Sequence, residues 1–213
     1  MHHPAELAIN QYLEDATSGK STMSEETILQ IGTDVMDAMR RQFGGGKGRD
    51  EFRLRMSNIG KPTCQLWFAK NKPEEALPKP TTFVMNMLLG DIVEAAFKGI
   101  IKEAGYPYED KDNFVSLELG GATIKGSYDI VVDGAMDDVK SASDWSYRNK
   151  FASYDTLQKS DPFGYVGQLA GYAKASGKKV GGWWVVNKAN GNIKYVPADG
   201  LVLEEQLAKL EKT

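Results

Sequence analysis

Apolar positions along the chain change their period near residue 110. Before it they recur every three or four residues. Residues 4–17 read as a short helix and 23–43 as an amphipathic one, with Ile28, Ile31, Val35 and Met39 at helical spacing. Thr22 precedes that run as N-cap, and Glu25 three residues later completes a capping box. Gly44, Gly45 and Gly46 stop it. A further helix is predicted over 81–104; it follows Pro78 and Pro80, takes Thr81 or Thr82 as N-cap and ends at Gly105. Strand-like alternation then covers 114–119, 122–132 and 135–141, and a polar, aromatic-rich stretch covers 143–159. Asp161-Pro162 opens another helix reaching Ser176, because Asp caps well and Pro suits the first helical position. Residues 180–188 and 192–196 form a hairpin around Asn190-Gly191, and 201–211 a terminal helix. This order predicts an α/β fold: a mixed sheet flanked by helices. Residues 1–45 form a helical N-terminal extension, packed on the main domain (46–213) or on a second subunit.

Composition removes several chemistries. The two histidines are His2 and His3, at a chain end expected to be mobile. A Ser-His-Asp triad, an imidazole base or a His-ligated zinc is therefore not expected. Cys64 stands alone, so no disulfide framework, four-Cys zinc site or iron–sulfur cluster is expected, a usage that fits a reducing cytosol. No signal-peptide pattern and no run of ~18 apolar residues is present, which predicts no membrane association. An enzyme made from this chain works with carboxylates, Lys, Arg, Tyr or Ser, or with a metal held by oxygen.

Net charge is −3, but it is unevenly spread. Residues 46–72 hold Lys47, Arg49, Arg53, Arg55, Lys61, Lys70 and Lys72 against Asp50 and Glu51 only. That segment is +5 and the remainder −8. With Phe52, Trp67 and Phe68 it reads either as a solvated basic loop or as a phosphate-contacting edge with nearby aromatics.

The stretch GSYDIVVDGAMDDVKS (126–141) centres on Asp133-Gly134, a two-residue hairpin signal. With that turn Val132 pairs with Ala135, Asp129 faces Asp138 and Ser127 faces Lys140. Asp129, Asp138 and Lys140 then share one face of the sheet. Carboxylates directly opposite one another are destabilising unless a cation sits between them. Oxygen ligands without His or Cys suit Mg²⁺ or Mn²⁺. The alternative is a solvent-facing polar hairpin, and a one-residue slip would exchange Asp137 with Asp138. Glu94 lies on an apolar stripe with Phe83, Met87, Gly90, Phe97 and Ile101, where a carboxylate needs a metal or a Lys partner unless it reaches solvent at the stripe's edge. Gln168 and Tyr172, four apart, share a helix face with Tyr165 beside them.

Together these residues resemble the PD-(D/E)XK nuclease superfamily, in its RecB-nuclease-like exonuclease branch, which includes bacteriophage exonucleases and CRISPR-associated adaptation nucleases. The segment 55–62 is similar to that branch's N-terminal motif, Gly90–Glu94 to the acidic helix, Gly126–Asp129 to the Asp motif, Asp138-Val139-Lys140 to (D/E)-x-K, and Gln168–Tyr172 to Gln-x-x-x-Tyr. The chain departs from relatives that carry His in place of Glu94, or four cysteines for an iron–sulfur cluster. The resemblance implies a restriction-endonuclease-like fold and a metal-dependent DNA exonuclease of phage type, acting on DNA with free ends in the host cytoplasm. It implies Mg²⁺, replaceable by Mn²⁺, held by Asp129, Asp138 and the Val139 carbonyl. Glu94 would complete the site directly or through water, and a second metal could join with DNA. Lys140 would position the attacking water. Arg53, Arg55, Ser57 and Lys61 would grip phosphates, with Gln168 and Tyr172 orienting the scissile nucleotide. Homo-oligomerisation stays open. The competing expectations are a structure- or sequence-specific endonuclease of the same superfamily, a non-catalytic DNA-binding module on the same fold, and a phosphoesterase for small substrates.

Overall fold

The computed structural model describes residues 3–44 and 52–212. Gly45, Gly46, Lys47, Arg49, Asp50 and Glu51 lie outside them, so that helix stop and part of the basic segment are not described.

Two helices come first, α1 (Pro4–Thr17) and α2 (Glu25–Phe43), followed by α3 (Thr63–Asn71) and the long α4 (Phe83–Glu103). Seven strands follow: β1 (Tyr108–Glu109), β2 (Phe114–Leu119), β3 (Ala122–Ser127), β4 (Ile130–Val132), β5 (Ala135–Ala142), β6 (Lys179–Asn187) and β7 (Ile193–Pro197). Helices α5 (Tyr154–Lys159) and α6 (Tyr165–Ser176) lie between β5 and β6, and α7 (Leu203–Glu211) ends the described chain. Five strands form one mixed sheet in the order β1-β4-β5-β6-β7, with β5 and β6 parallel and the other pairs antiparallel. β2 and β3 form a separate hairpin.

Side-chain alternation gives the sheet two apolar faces. Trp183 enters a core with Met136, Leu169, Tyr172 and Leu207, under α6 and α7. Its neighbour Trp184 enters the opposite core with Ala5, Ile9, Phe97, Ile101 and Val139, under α1 and α4. Among the described residues no helix is long and apolar enough to cross a membrane.

The β4–β5 turn is as the sequence indicates. Asp133 and Gly134 both adopt positive φ, 51° and 74°, and Val132 pairs with Ala135. The expected strand 122–132, however, is two strands. Asn113 grips Tyr128 at both backbone groups: its carbonyl accepts the Tyr128 N–H at 3.1 Å, and its side-chain amide donates to the Tyr128 carbonyl at 2.7 Å. This clamp turns β3 away toward β2. Ser127 consequently faces Phe114, and Lys140 lies beside Val185.

Other expectations are corrected by local hydrogen bonding. Ser24, not Thr22, caps α2 and accepts the Thr27 N–H at 3.3 Å. The Ser24 and Thr27 hydroxyls both donate to Glu103, which ties that cap to α4. The inner face of α2 is built on Thr27, Ile31 and Ala38; Ile28 and Met39 point outward. α6 begins at Tyr165, and Asp161 caps it from the preceding turn by accepting the Val166 N–H at 2.8 Å. The Asn190-Gly191 connection is a longer loop, because strand pairing ends at Val186–Ile193. His3 is not loose: its Nδ1 accepts the Ala5 N–H at 3.1 Å, and its ring packs on Trp184 and Tyr195.

Asp137, on the α1–α4 face, is buried and accepts from the Gly182 N–H (2.8 Å), Trp184 Nε1 (3.0 Å) and the Tyr195 hydroxyl (2.9 Å). It ties β5, β6 and β7 together. Asp137→Ala strands these three donors, so urea unfolding is expected to show a loss of about 3 kcal/mol or more. A loss below about 1 kcal/mol would mean the carboxylate is not the tie described.

Candidate active site

Four of the five sequence motifs meet on the α6 side of the sheet. The loop before α3 joins β3 through Arg55 and Met56: Arg55 bridges to Lys125, and the Met56 N–H donates to the Lys125 carbonyl at 3.1 Å. The same loop meets α6 backbone to backbone. A Cβ on Gly60 would lie 2.4 Å from the Gly164 carbonyl oxygen, so neither position tolerates a larger residue without movement. A Cβ on Gly126 would stand 2.8 Å from the Tyr172 hydroxyl, which brings that hydroxyl against the start of the Asp129 segment. Arg53, Arg55 and Ser57 are exposed and Lys61 is half-buried along this loop.

The strands present the acids. Asp138 and Lys140, two apart on β5, point to the α6 face, and the Lys140 ammonium lies 2.5 Å from Asp138 Oδ2. Asp129 stands just before β4, within hydrogen-bonding reach of Asp138. Its Oδ2 accepts the Val139 N–H at 2.8 Å and so continues the β4–β5 ladder with a side chain where the backbone has turned away. Asp138 Oδ2 is buried and takes no aligned hydrogen bond. That oxygen's partner is the Lys140 ammonium, in a close ion pair. Burial and the facing Asp138 push Asp129 up to about 6, and burial likewise raises Asp138. Burial alone would lower Lys140, but Asp138 and Asp129 outweigh it and hold its pKa above the usual lysine value.

Glu94 comes from α4 on the other side. Gly90, one turn earlier, leaves room for Ser141, whose Oγ would be 3.8 Å from a Cβ there. Glu94 pairs with Lys98 at 2.8 Å, an i,i+4 partner that the helical spacing alone would have revealed. Burial first, then Asp129, raises the Glu94 pKa. The expected stripe holds at Phe97 and Ile101, which are buried, but Met87 is exposed. A cleft of 270 Å³ opens beside Glu94 and is lined by Asp34, Asp37, Asp91 and Asp110 with Arg41 and Lys98. Its acidic wall repels phosphates, so a polyanion is favoured on the opposite, α6 side.

Gln168 and Tyr172 both lie on α6, with the Gln168 amide engaging the Tyr172 hydroxyl. Burial and Asp129 raise the Tyr172 pKa. Tyr165, at the start of the helix, places its ring 5.1 Å from the Lys140 ammonium.

Among the described residues no three His, Cys, Asp or Glu side chains converge closely enough to hold a metal by themselves. Asp129 and Asp138 nevertheless fit a hard cation. They are two adjoining buried carboxylates, a donor set of hard oxygens held close together at the β4–β5 hairpin.

No family model matches the chain, and no curated protein sequence matches it. Among solved structures, the crystal structure of SSO0001 aligns with 85% of this chain and 82% of that chain, at 12% identity and a TM-score of 0.47. At that distance the likeness carries no argument about family or activity.

Lys140→Met leaves Asp129 and Asp138 facing each other without their cation. Their folded pKa values, already raised, move further above the unfolded ones. The folded state then binds the extra protons, and the penalty is largest at high pH and shrinks as pH falls. Denaturant melts are expected to show a loss of about 3 kcal/mol at about pH 8. Less than half of that loss should remain at about pH 5. A pH-independent loss would indicate a packing defect.

Proposed function

We propose that this protein is a divalent-metal-dependent DNA exonuclease with a restriction-endonuclease-like sheet, hydrolysing phosphodiester bonds from free ends. The observation that carries the reading is the Asp129–Asp138–Lys140 cluster: two adjoining buried carboxylates at the β4–β5 hairpin, with an ammonium two residues along β5 set against Asp138. These are the positions that resemble the nuclease motif in sequence.

Asp129, Asp138 and the Val139 carbonyl would hold Mg²⁺ or Mn²⁺. The Val139 N–H points at Asp129, and in an extended strand a residue's carbonyl projects to the same edge. The bound cation supplies Lewis-acid polarisation of the phosphodiester and neutralises charge that builds on it. Lys140, kept protonated by its carboxylate neighbours, orients the attacking water and stabilises charge on the phosphate. Glu94, held by Lys98, adds negative potential behind Asp129. Arg53, Arg55, Ser57 and Lys61 line the approach on the α6 side, where Tyr172 and Gln168 orient the nucleotide. Cys64 is alone and exposed, so the reading needs no iron–sulfur cluster.

Digestion of end-labelled linear DNA with Mg²⁺ tests this. The wild-type protein is expected to degrade linear DNA and leave covalently closed circles intact. Asp138→Asn is expected to cut at least about a hundredfold more slowly while keeping its circular dichroism spectrum. Equal cutting of closed circles would turn the assignment to an endonuclease, and full activity of Asp138→Asn would sink the catalytic reading.

Metal binding adds a pH signature. Asp129 holds its proton up to about pH 6, and a cation must displace that proton. Calorimetric Mn²⁺ affinity is therefore expected to plateau above about pH 7 and to fall by about tenfold per unit below about pH 6. Absence of any heat in the plateau range would favour a module that binds no metal.

A further inference from the structure

Beside Lys140 lies a second half-buried lysine, held by aromatic rings where Lys98 and Lys140 are held by carboxylates. Lys150 closes the π-helical turn Ser146–Lys150. Its ammonium sits 4.6 Å from the ring centre of Phe163 and 4.5 Å from that of Tyr165, the ring that also receives Lys140. Lys98 and Lys140 each have a carboxylate within 2.8 Å. Lys150 forms no ion pair among the described residues. Asp161, the nearby carboxylate, accepts the Val166 N–H through Oδ2, keeps Oδ1 buried without a hydrogen bond, and acts on Lys150 only from beyond ion-pair distance. A half-buried cation that faces ring π-clouds, with its carboxylate neighbour out of ion-pair reach, has only part of its charge compensated; burial lowers its pKa and Asp161 only partly offsets that. An anion would complete it.

Phe163 supplies the other half of a site. It is a large apolar ring 55% exposed at the rim. It stacks on Tyr165 at 5.5 Å with planes 18° apart, and Tyr165 in turn stacks on buried Phe151. The outermost ring is therefore backed by a fixed pile of rings, which makes a rigid flat surface beside a cation. Flat apolar ring plus ammonium matches a nucleobase with its phosphate.

We infer that Lys150 and Phe163 form a nucleotide subsite next to Lys140 that takes one unstacked base and its phosphate, so that unpaired DNA ends are the preferred substrate. This rests on the nuclease reading and extends it to substrate class. Bases within a duplex present only their edges and cannot lie on Phe163, whereas an unpaired base can.

The test is fluorescence anisotropy with the full chain in EDTA, which excludes cleavage. The probes are a labelled single-stranded oligothymidylate and a blunt duplex of the same length. Wild type is expected to bind the single strand more tightly. Phe163→Ala is expected to weaken single-strand binding about tenfold and duplex binding less than about twofold, and Phe163→Trp to restore it. Lys150→Met keeps the apolar stem against the rings; it should weaken binding and flatten the salt dependence by about 0.7 in the log–log slope. If Phe163→Ala and Lys150→Met bind the single strand as wild type does, the subsite is overturned and the nuclease reading stands. If the wild-type protein binds neither probe and cuts neither with Mg²⁺, both fall together.

Discussion

Everything at the site depends on the register of the β4–β5 hairpin. Its turn needs two residues with positive φ, and Asp133-Gly134 supplies them. With that register Met136, Asp138 and Lys140 point to the α6 face, while Asp137 points to the α1–α4 face. The two adjacent aspartates therefore do opposite work. Asp137 is saturated by three donors and ties three strands together. Asp138 has no such set of donors: it lies against a second carboxylate and a single ammonium. A slip of one residue would bury Asp138 among those donors and place Asp137 beside Asp129.

The second constraint is the break at Tyr128–Asp129. A continuous strand would have given Asp129 a backbone partner and a flat ladder. Asn113 removes β3 from the sheet, and the Asp129 side chain takes over the Val139 N–H. This places the carboxylate at the end of the ladder, close to Asp138 and open to Glu94. The cost is a cluster of acids held by Lys140 and Lys98. Such clusters are poorly stabilising on their own, because desolvation offsets most of the attraction. The proposed metal-dependent chemistry gives such a cluster a reason that stability does not.

Close backbone approaches hold the surrounding loop in place. Gly60 against Gly164 and Gly167, with Gly126 against Tyr172, draws the basic loop, β3 and α6 together at distances no side chain would allow. The result is electrostatically two-sided. The α2–α4 cleft is lined with acids, whereas the α6 side carries Lys61, Lys140 and Lys150 with stacked aromatics. A net charge of −3 describes neither side.

Several elements were legible in the sequence because they rest on local rules. The 4–17 helix, the β5 strand, the Asp133-Gly134 turn and the shared face of Asp138 and Lys140 follow from spacing and turn chemistry. Lys98 as the partner of Glu94 was equally local, an i,i+4 pair available to inspection. Other features were not. The split of 122–132 depends on Asn113, from another segment. The cap of α2 at Ser24 depends on Glu103, 79 residues away. His3 is ordered by Trp184 and Tyr195, and Lys150 reaches its rings only when α6 docks beside the turn after β5. Period and turn type are properties of neighbouring residues, so the sequence by itself determined which acids could share a face. That Asp137 is tied to three donors while Asp138 meets Asp129 and Lys140, only the tertiary structure decided, because Gly182, Trp184 and Tyr195 come from strands far along the chain.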